Sequence, residues 1–164
     1  VHEGIDSTLT VLDSRFRANE YRTKIEVVKD YRLNCPVDCY PSRLNQVFLN
    51  LIINAIDAID DKFTTPPQTL STLESPTLHI STDLVDGEAV IQITDSGTGI
   101  PKSAQSKIFD QFFTTKPVGQ GTGLGLTIAR TIIVQDHKGS LTCSSFEDEG
   151  TTFTIKFPSG NLPE

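Results

Sequence analysis

The strongest pattern of apolar and polar positions along the chain lies between residues 41 and 61. Apolar side chains recur there at steps of three and four residues, which predicts a long helix with one broad apolar face made of Leu44, Val47, Phe48, Leu51, Ile52, Ala55, Ile56 and Ile59. Polar side chains recur at the same steps on another side, and we call them the polar stripe: Asn50, Asn54, Asp57 and Asp61.

The polar stripe has two interpretations. It could be the solvent-facing surface of an amphipathic helix, which is the usual case. However, solvent-facing helix positions favour Lys, Glu and Arg, whereas Asn is a poor helix former. Asn50 and Asn54, one turn apart, therefore indicate that amide oxygens are needed there. A neutral oxygen suits a hard cation that keeps most of its waters and is also bound by phosphate.

The rest of the chain predicts short strands, a second helix and loops. Strand pairs are predicted at residues 24–31 with 36–40, at 77–85 with 88–95 around Asp86-Gly87, and at 140–145 with 151–157. A second long helix is predicted from about Thr122 to Asp136, and a surface loop rich in Pro, Ser and Thr over residues 62–76. With no βαβ rhythm and no internal repeat, this order predicts an α+β fold, a two-layer sandwich with a mixed, mostly antiparallel sheet and helices on one face.

Composition excludes some classes of function. The net charge is −7, from 21 acidic and 14 basic residues, and no cluster of Lys and Arg indicates a nucleic-acid groove. No apolar run has membrane-spanning length and no signal peptide is evident. Three cysteines without paired spacing favour reduced thiols and a cytosolic location. Because the chain starts at Val1 and contains no Met, we expect a fragment of a longer protein.

Two glycine-punctuated stretches carry candidate chemistry. Asp95 ends a predicted strand and is followed by Ser96-Gly97-Thr98-Gly99-Ile100. A carboxylate at such a turn can accept the exocyclic amine of adenine, although a simple β-turn with an Asx bond explains DSGTG equally well. In GQGTGLGL, three alternating glycines precede a predicted helix, whose backbone N–H groups could hold phosphate. It is neither a Walker loop nor a dinucleotide fingerprint, and a glycine hinge without a ligand is the alternative.

Taken together, these motifs resemble the catalytic, ATP-binding domain of sensor histidine kinases, in the superfamily that includes DNA gyrase, Hsp90 and MutL. The resemblance covers residues 24–158. LNQVFLNLIINAIDAI is similar to the N box, DSGTGI to the first glycine box, IFDQFFTTK to the F box, GTGLGL to the second glycine box and GTTFTIKFP to the terminal strand. It implies a Bergerat-type ATP-binding fold. HEGIDSTLTVL resembles the tail of a dimerisation helix, so we expect residues 1–22 to be a remnant of the dimerisation and phospho-acceptor domain and residues 23–164 to be the catalytic domain.

The resemblance implies a role for each matching residue. Asn54 would bind Mg²⁺ and Asn50 would lie beside it at the phosphates, while Asp95 would bind the adenine amine in a pocket shaped by Gly97 and Gly99. Thr151 would lie near a water that bridges to adenine. The phosphates would meet Gly121, Thr122, Gly123, Leu124, Gly125 and Leu126. A lid over residues 101–120 would be anchored by Phe109, Phe112 and Phe113, and the implied ATP contacts there and just before it are Ile100, Phe113, Thr114, Thr115 and Lys116.

The chain departs from the family pattern after the N-box asparagines. Many histidine kinases carry a Lys and then an aromatic residue there, where this chain has Asp57 and Ala58. A cation for the phosphates must then come from elsewhere, and Lys116 is the candidate, with a plain solvated lysine as the alternative. Asp57 could instead bind a water held by the metal.

The residues also separate a kinase from a hydrolase. Gyrase-like ATPases place a glutamate one turn before the metal asparagine, where this chain has Asn50, which is not a usable base at neutral pH. A neutral imidazole needs no such base to accept a phosphoryl group. His2, His79 and His137 all lack the setting of a phospho-acceptor, so we expect Mg-ATP binding without self-phosphorylation. A regulatory nucleotide-binding module and a gyrase-type ATPase are the alternatives.

The resemblance also implies partners. They are the dimerisation domain of the same protein and the receiver domain of a response regulator, without nucleic acid or direct membrane contact. The isolated domain would be a monomer and the parent protein a homodimer.

Overall fold

The computed structural model describes residues 1–64, 75–116 and 121–160. In these ranges five strands form one sheet in the order β1-β2-β3-β5-β4. The strands are β1 (Glu26–Tyr31), β2 (Thr77–Val85), β3 (Glu88–Asp95), β4 (Ser140–Phe146) and β5 (Gly150–Pro158). β1 runs parallel to β2, and the other neighbouring strands are antiparallel. The predicted mixed, mostly antiparallel sheet is confirmed.

The helices are α1 (His2–Val11), α2 (Asp13–Phe16), α3 (Pro41–Thr64), α4 (Lys102–Gln105) and α5 (Gly125–Thr131), which continues as a π-helix over Ile132–Asp136. The predicted first long helix is α3, and it runs three residues past the predicted end at Asp61. Most of the predicted loop over residues 62–76 therefore lies either in α3 or, from 65 to 74, outside the described residues.

The predicted strand at residues 36–40 is wrong. β1 pairs in parallel with β2, and the chain reaches β2 by crossing over the sheet through α3. The segment β1-α3-β2 is thus one βαβ unit, which the sequence pattern did not indicate. Residues 36–40 instead connect the layers, because Asp38 donates its backbone N–H to Ser159 (3.1 Å) and Tyr40 donates its own to Nε2 of His137 (3.1 Å). Pro36 and Pro41 at the two ends of this segment lack the N–H that a strand ladder uses.

The core lies between α3 and one face of the sheet. All eight apolar positions predicted on α3 are buried. They face alternate residues of the strands, which are also buried: Leu78, Ile80, Ala89, Ile91, Ile93, Phe153, Ile155 and Phe157. Burying a side chain of this kind contributes about 1.5–3 kcal/mol, so this face fixes the position of α3 on the sheet. The polar stripe is fixed with it.

The second long helix starts later than predicted, at Gly125, and it widens to a π-helix at Ile132. His137 explains part of this geometry, because its Nδ1 lies 3.0 Å from the Ile132 carbonyl while its Nε2 accepts the Tyr40 N–H. Because a backbone N–H can only donate, Nε2 of the buried His137 is the acceptor, and the ring links the end of the π-helix to the segment before α3.

The first residues of the chain pack on the same core. Ile5, Leu12 and Phe16 are all buried, and Gly4 lies so close to Asn45 on α3 that an added Cβ would come within 2.1 Å of its Oδ1. Among the described residues no helix is both long and apolar enough to cross a bilayer.

Candidate functional site

A cleft of about 390 Å³ opens between α3, the ends of β3 and β5, and the loops that precede α5. Nearly all the predicted site residues line it: Asn50, Asn54, Asp57, Asp95, Gly99, Ile100, Phe113, Thr114, Thr115, Lys116, Gly121, Thr122, Gly123, Gly125, Leu126 and Thr151. Gly97 and Leu124 lie outside its wall. Residues 117–120 of the predicted lid fall outside the described ranges.

The polar stripe of α3 forms one wall of this cleft, which favours the second of its two interpretations. All four of its residues line the cleft. Asn50 donates its amide to the carbonyl of Gly125 at 3.0 Å, which ties the start of α5 to α3. The half-buried Asn54 amide has no hydrogen-bond partner among the described residues. An amide in this position has its oxygen available for a ligand.

Asp95 lies at the other end of the cleft, where β3 ends beside Thr151 of β5. Its side chain is buried, and Oδ1 accepts the backbone N–H of Gly97 at 2.8 Å. Burial raises the pKa of Asp95 to about 6, against the opposing effect of backbone hydrogen bonds from Gly97 and Thr151. Above that pH the ionised carboxylate is purely an acceptor, which suits an amino group of a ligand.

Gly97 shapes the cleft from behind the wall. A Cβ at this position would lie 2.6 Å from the backbone carbon of Ala58, so the turn after Asp95 packs directly on α3. The next residue, Thr98, donates its N–H to the carbonyl of Ala58 at 3.2 Å. Glycine is therefore required here for close approach of the turn to the helix.

Ser145, which the sequence did not indicate, holds three parts of the site together. Its Oγ accepts the N–H of Ile100 at 2.8 Å and lies 3.0 Å from the Gly150 carbonyl and 2.9 Å from the Thr151 hydroxyl. A serine hydroxyl has one proton, and the Gly150 carbonyl can only accept it. With that proton on Gly150, Thr151 donates to Ser145 and presents lone pairs to the cleft.

The glycine turn before α5 faces the other end of the polar stripe. Gly123 has a φ of +65°, and a Cβ there would lie 2.4 Å from the backbone carbon of Phe112. The Phe112 N–H in turn donates to the Gly123 carbonyl at 3.0 Å. This contact brings the F-box segment and the glycine turn together at the cleft.

The charges on the cleft wall favour a ligand that brings its own cation. Among the described residues the wall contains three carboxylates, on Asp57, Asp61 and Asp95, and one ammonium group, on Lys116. Burial and the neighbouring Asp57 charge raise the pKa of Asp61. Lys116 forms an ion pair with Asp57, so it is not a plain solvated lysine. The described residues contain no cluster of three or more His, Cys, Asp or Glu side chains arranged to hold a metal. A metal at Asn54 would therefore need phosphate or water as further ligands.

Six wall residues were absent from the predicted site: Ile53, Ala58, Asp61, Thr98, Ile108 and Phe153. Helical spacing from Asn54 and Asp57 could have identified Ala58, Asp61 and Ile53, since each lies four residues away on α3. Ile108 and Phe153 reach the cleft only through tertiary packing and leave no local signal.

Comparison with known proteins agrees with this geometry. Residues 39–161 match the family of histidine kinase-, DNA gyrase B-, and HSP90-like ATPases. The chain is 37% identical over 153 residues to the sensor kinase CckA of Brucella abortus, covering 92% of this chain and 16% of that protein. It is 38% identical over 153 residues to the sensor histidine kinase ZraS of Salmonella typhi, covering 93% of this chain and 27% of that one. It thus spans well under a third of these relatives.

A solved structure gives the same result for the fold. The nucleotide-free catalytic domain of the histidine kinase ThkA superposes with a TM-score of 0.75 at 29% identity, covering 97% of this chain and 92% of that one. The resemblance noted from the five motifs is confirmed. This chain belongs to the histidine kinase-, DNA gyrase B-, and HSP90-like ATPase family, and within it to the ATP-binding catalytic domains of sensor histidine kinases.

Proposed function

We propose that this domain binds Mg-ATP in the cleft and positions the γ-phosphoryl group for transfer to a histidine on a dimerisation domain outside this chain. The observation that carries the proposal is the position of the polar stripe, which faces a cleft with buried Asp95 at one end and the glycine turn of α5 at the other. The Asp95 end suits a nucleobase, and the end at the glycine turn suits phosphates.

The end of the cleft at Asp95 supports recognition of adenine. Ionised Asp95 would accept the exocyclic amine, and Thr151 would accept through the lone pairs that Ser145 leaves free, directly or through a water. Ile100 and Phe113 supply apolar surface on the same wall. A planar base fits such a mixture of apolar wall and few oriented polar groups.

The phosphate end, at the glycine turn before α5, supports a magnesium site with few protein ligands. Asn54 would hold the cation through its amide oxygen, which is the type of ligand Mg²⁺ prefers, and Asn50 would lie beside it. When bound, the cation neutralises phosphate charge. Asn50 itself holds Gly125, and Lys116, which lines the cleft, would supply an ammonium group for the phosphates.

The acceptor histidine is proposed to lie outside this chain. His2 lies on α1 and stacks on Tyr31 at 4.2 Å between ring centroids, His79 lies within β2, and His137 is buried. Among the described residues, no histidine lines the cleft. Asn50 is not a base that could activate water, which disfavours a gyrase-type hydrolase.

The proposal extends to partners and location. The phosphoryl group would pass from the dimerisation domain of the same homodimeric protein to a response regulator receiver domain. The isolated domain would be a monomer in the cytosol, where its three free cysteines stay reduced.

Phosphoryl transfer can be measured with γ-labelled ATP. The chain alone should bind the nucleotide and retain no label, whereas a dimerisation domain from a related sensor kinase added in trans should become labelled. Asn54→Ala should prevent that labelling, and Arg17→Ala, a change at an exposed residue remote from the cleft, should not. Steady phosphate release without labelling would instead favour a hydrolase, and label on the chain itself would contradict the assignment of an external acceptor.

A further inference from the structure

We propose that Arg15 is a positioning residue for the phosphate end of the cleft, because it shares the Asp57 carboxylate with Lys116 and so allows the Lys116 ammonium to leave Asp57 for the nucleotide phosphates. This inference rests on the proposed function, since it concerns the same site.

Two cations hold opposite oxygens of the same carboxylate. A guanidinium nitrogen of Arg15 lies 2.8 Å from Oδ1 of Asp57, while Nζ of Lys116 contacts Oδ2. The Asp57 side chain is only 22% exposed. Removing the sole partner of a carboxylate in such a place leaves a poorly solvated charge, which costs free energy. With Arg15 in place, Lys116 can leave and Asp57 remains paired.

Lys116 is well placed to exchange Asp57 for a phosphate. A Cβ built on Gly121 would lie 3.2 Å from Cδ of Lys116, so the lysine stem runs along the glycine turn at the phosphate end. The same side chain is the one cation on the cleft wall as far as the structure describes it. Its ammonium group therefore contacts Asp57 while its stem lies at the glycine turn, and a stronger pairing with Asp57 would leave the ammonium less available to the phosphates.

Arg15 is held in place by a buried arginine. Arg22 donates to the backbone carbonyls of Arg15 at 2.7 Å, Arg17 at 2.9 Å and Thr23 at 3.2 Å, and it pairs with Asp60 on α3. Arg15 also contacts Asp60, at 3.3 Å. The backbone of α2 and of the residues that follow it is thereby fixed on α3, which directs the Arg15 side chain at Asp57.

Through Arg15, residues 1–22 contribute to nucleotide binding. No atom of this segment lines the described cleft, yet Arg15 reaches it through Asp57. A displacement of the segment that withdrew Arg15 would leave Lys116 bound to Asp57, and the affinity for the triphosphate would fall.

Calorimetric titration of the full chain with Mg-ATP and with adenosine tests the exchange. Arg15→Ala should weaken Mg-ATP binding about threefold to tenfold and leave adenosine binding unchanged, because adenosine has no phosphate for Lys116 to contact. Arg15→Lys should keep most of the affinity, since it keeps a cation beside Asp57. Arg17→Ala removes one positive charge from the same segment and should have no effect.

Double variants separate the exchange from a general charge effect. With Asp57→Asn there is no carboxylate to share, so adding Arg15→Ala should change nothing further, and the same holds in Lys116→Ala. An Arg15→Ala loss of equal size in all three backgrounds, or no loss in the wild-type background, would overturn the inference. If Arg15→Ala lowers the melting temperature markedly, the effect of Arg15→Lys on Mg-ATP affinity is compared in the wild-type and Asp57→Asn backgrounds. A loss of equal size in both backgrounds overturns the inference. Failure of the wild-type chain to bind Mg-ATP would reject the proposed function itself.

Discussion

At the scale of single residues, the buried carboxylate of Asp95 lowers the stability of the folded chain at neutral pH, and the same ionised group is the one proposed to bind adenine. Its carboxyl group has an ordinary pKa of 3.8 when the chain is unfolded, and burial raises it to about 6 in the folded protein. A folded pKa above the unfolded one gives a contribution that is fully present below pH 3.8 and is lost as the pH rises through about 6. Holding Asp95 ionised at neutral pH therefore costs about 3 kcal/mol.

Asp95→Asn should remove that cost and also remove the carboxylate that we propose as the acceptor for adenine. We expect a higher melting temperature than wild type at pH 7.5, a smaller difference near pH 4, and loss of measurable ATP binding. Thermal melts at the two pH values and calorimetry at pH 7.5 check this. An unchanged or lower melting temperature at pH 7.5 would mean that the backbone hydrogen bonds to Asp95 outweigh its burial.

Two glycines with left-handed backbones allow the cost of backbone strain to be measured separately from the cost of a steric clash of an added Cβ. Gly87 and Gly99 have φ values of +82° and +70°. A Cβ on Gly87 would meet nothing within 4 Å, whereas one on Gly99 would lie 2.0 Å from the Phe146 carbonyl oxygen. Gly87→Ala should therefore cost about 1 kcal/mol from backbone strain alone.

Gly99→Ala should cost about 1–3 kcal/mol more than Gly87→Ala, because β4 or the turn at the cleft must also move. The free energies of unfolding in urea give the difference. Equal values for the two variants would show that the turn at Gly99 relaxes freely.

At the scale of elements, α3 separates stability and function onto two faces. Ile56→Ala removes a fully buried side chain from the core face and should cost about 2–5 kcal/mol. Asn54→Ala, on the cleft face, should change the free energy of unfolding by less than about 0.5 kcal/mol. It should nevertheless abolish the dependence of ATP affinity on Mg²⁺.

Urea unfolding and ATP titrations with and without Mg²⁺ measure both effects. If Asn54→Ala left the Mg²⁺ dependence intact, the metal would have other protein ligands, and Asp61 would be the next residue to substitute. A large loss of stability would show instead that Asn54 supports the helix.

What the sequence predicts at this scale depends on how local the signal is. The faces of α3 and the hairpin at Asp86-Gly87 follow from spacing and turn chemistry within one element, and both are present. The parallel partner of β1 and the π-helix at Ile132 depend on contacts between distant residues. His137, for instance, bonds to Tyr40, 97 positions away. No local pattern encodes such pairs.

At the scale of the whole molecule, residues 1–22 contribute apolar side chains to the same buried core as α3 and the sheet. The domain boundary predicted between residues 22 and 23 stays a prediction, and removing residues 1–22 would test it. Three buried apolar side chains of this segment, Ile5, Leu12 and Phe16, would be lost in a chain that begins at residue 23. Burial of each contributes about 1.5–3 kcal/mol.

A chain beginning at residue 23 should therefore melt at a lower temperature and expose apolar surface, measurable by calorimetry and dye binding. Loss of Arg15 with the segment should also weaken Mg-ATP binding. An unchanged melting temperature would show that residues 1–22 are an appendage, as the resemblance to a dimerisation helix implies.

The cleft itself shows where prediction from the sequence ends. Motifs identify Asn54, Asp95 and the glycine turns because their chemistry is carried by short stretches. The ion pairs at Asp57 could not be predicted, because they join residues 42 and 59 positions apart. In this structure Asp57 pairs with two cations, whereas the sequence indicated only that it could bind a water held by the metal.

A crystal structure of this chain with Mg²⁺ and a non-hydrolysable ATP analogue would decide where the nucleotide binds. The adenine amine should lie within hydrogen-bond distance of the Asp95 carboxylate, the cation on the amide oxygen of Asn54, and the Lys116 ammonium on a phosphate with Arg15 still paired to Asp57. Nucleotide bound elsewhere, or Asp95 and Asn54 left without contact to it, would contradict the assignment of this cleft as the ATP site.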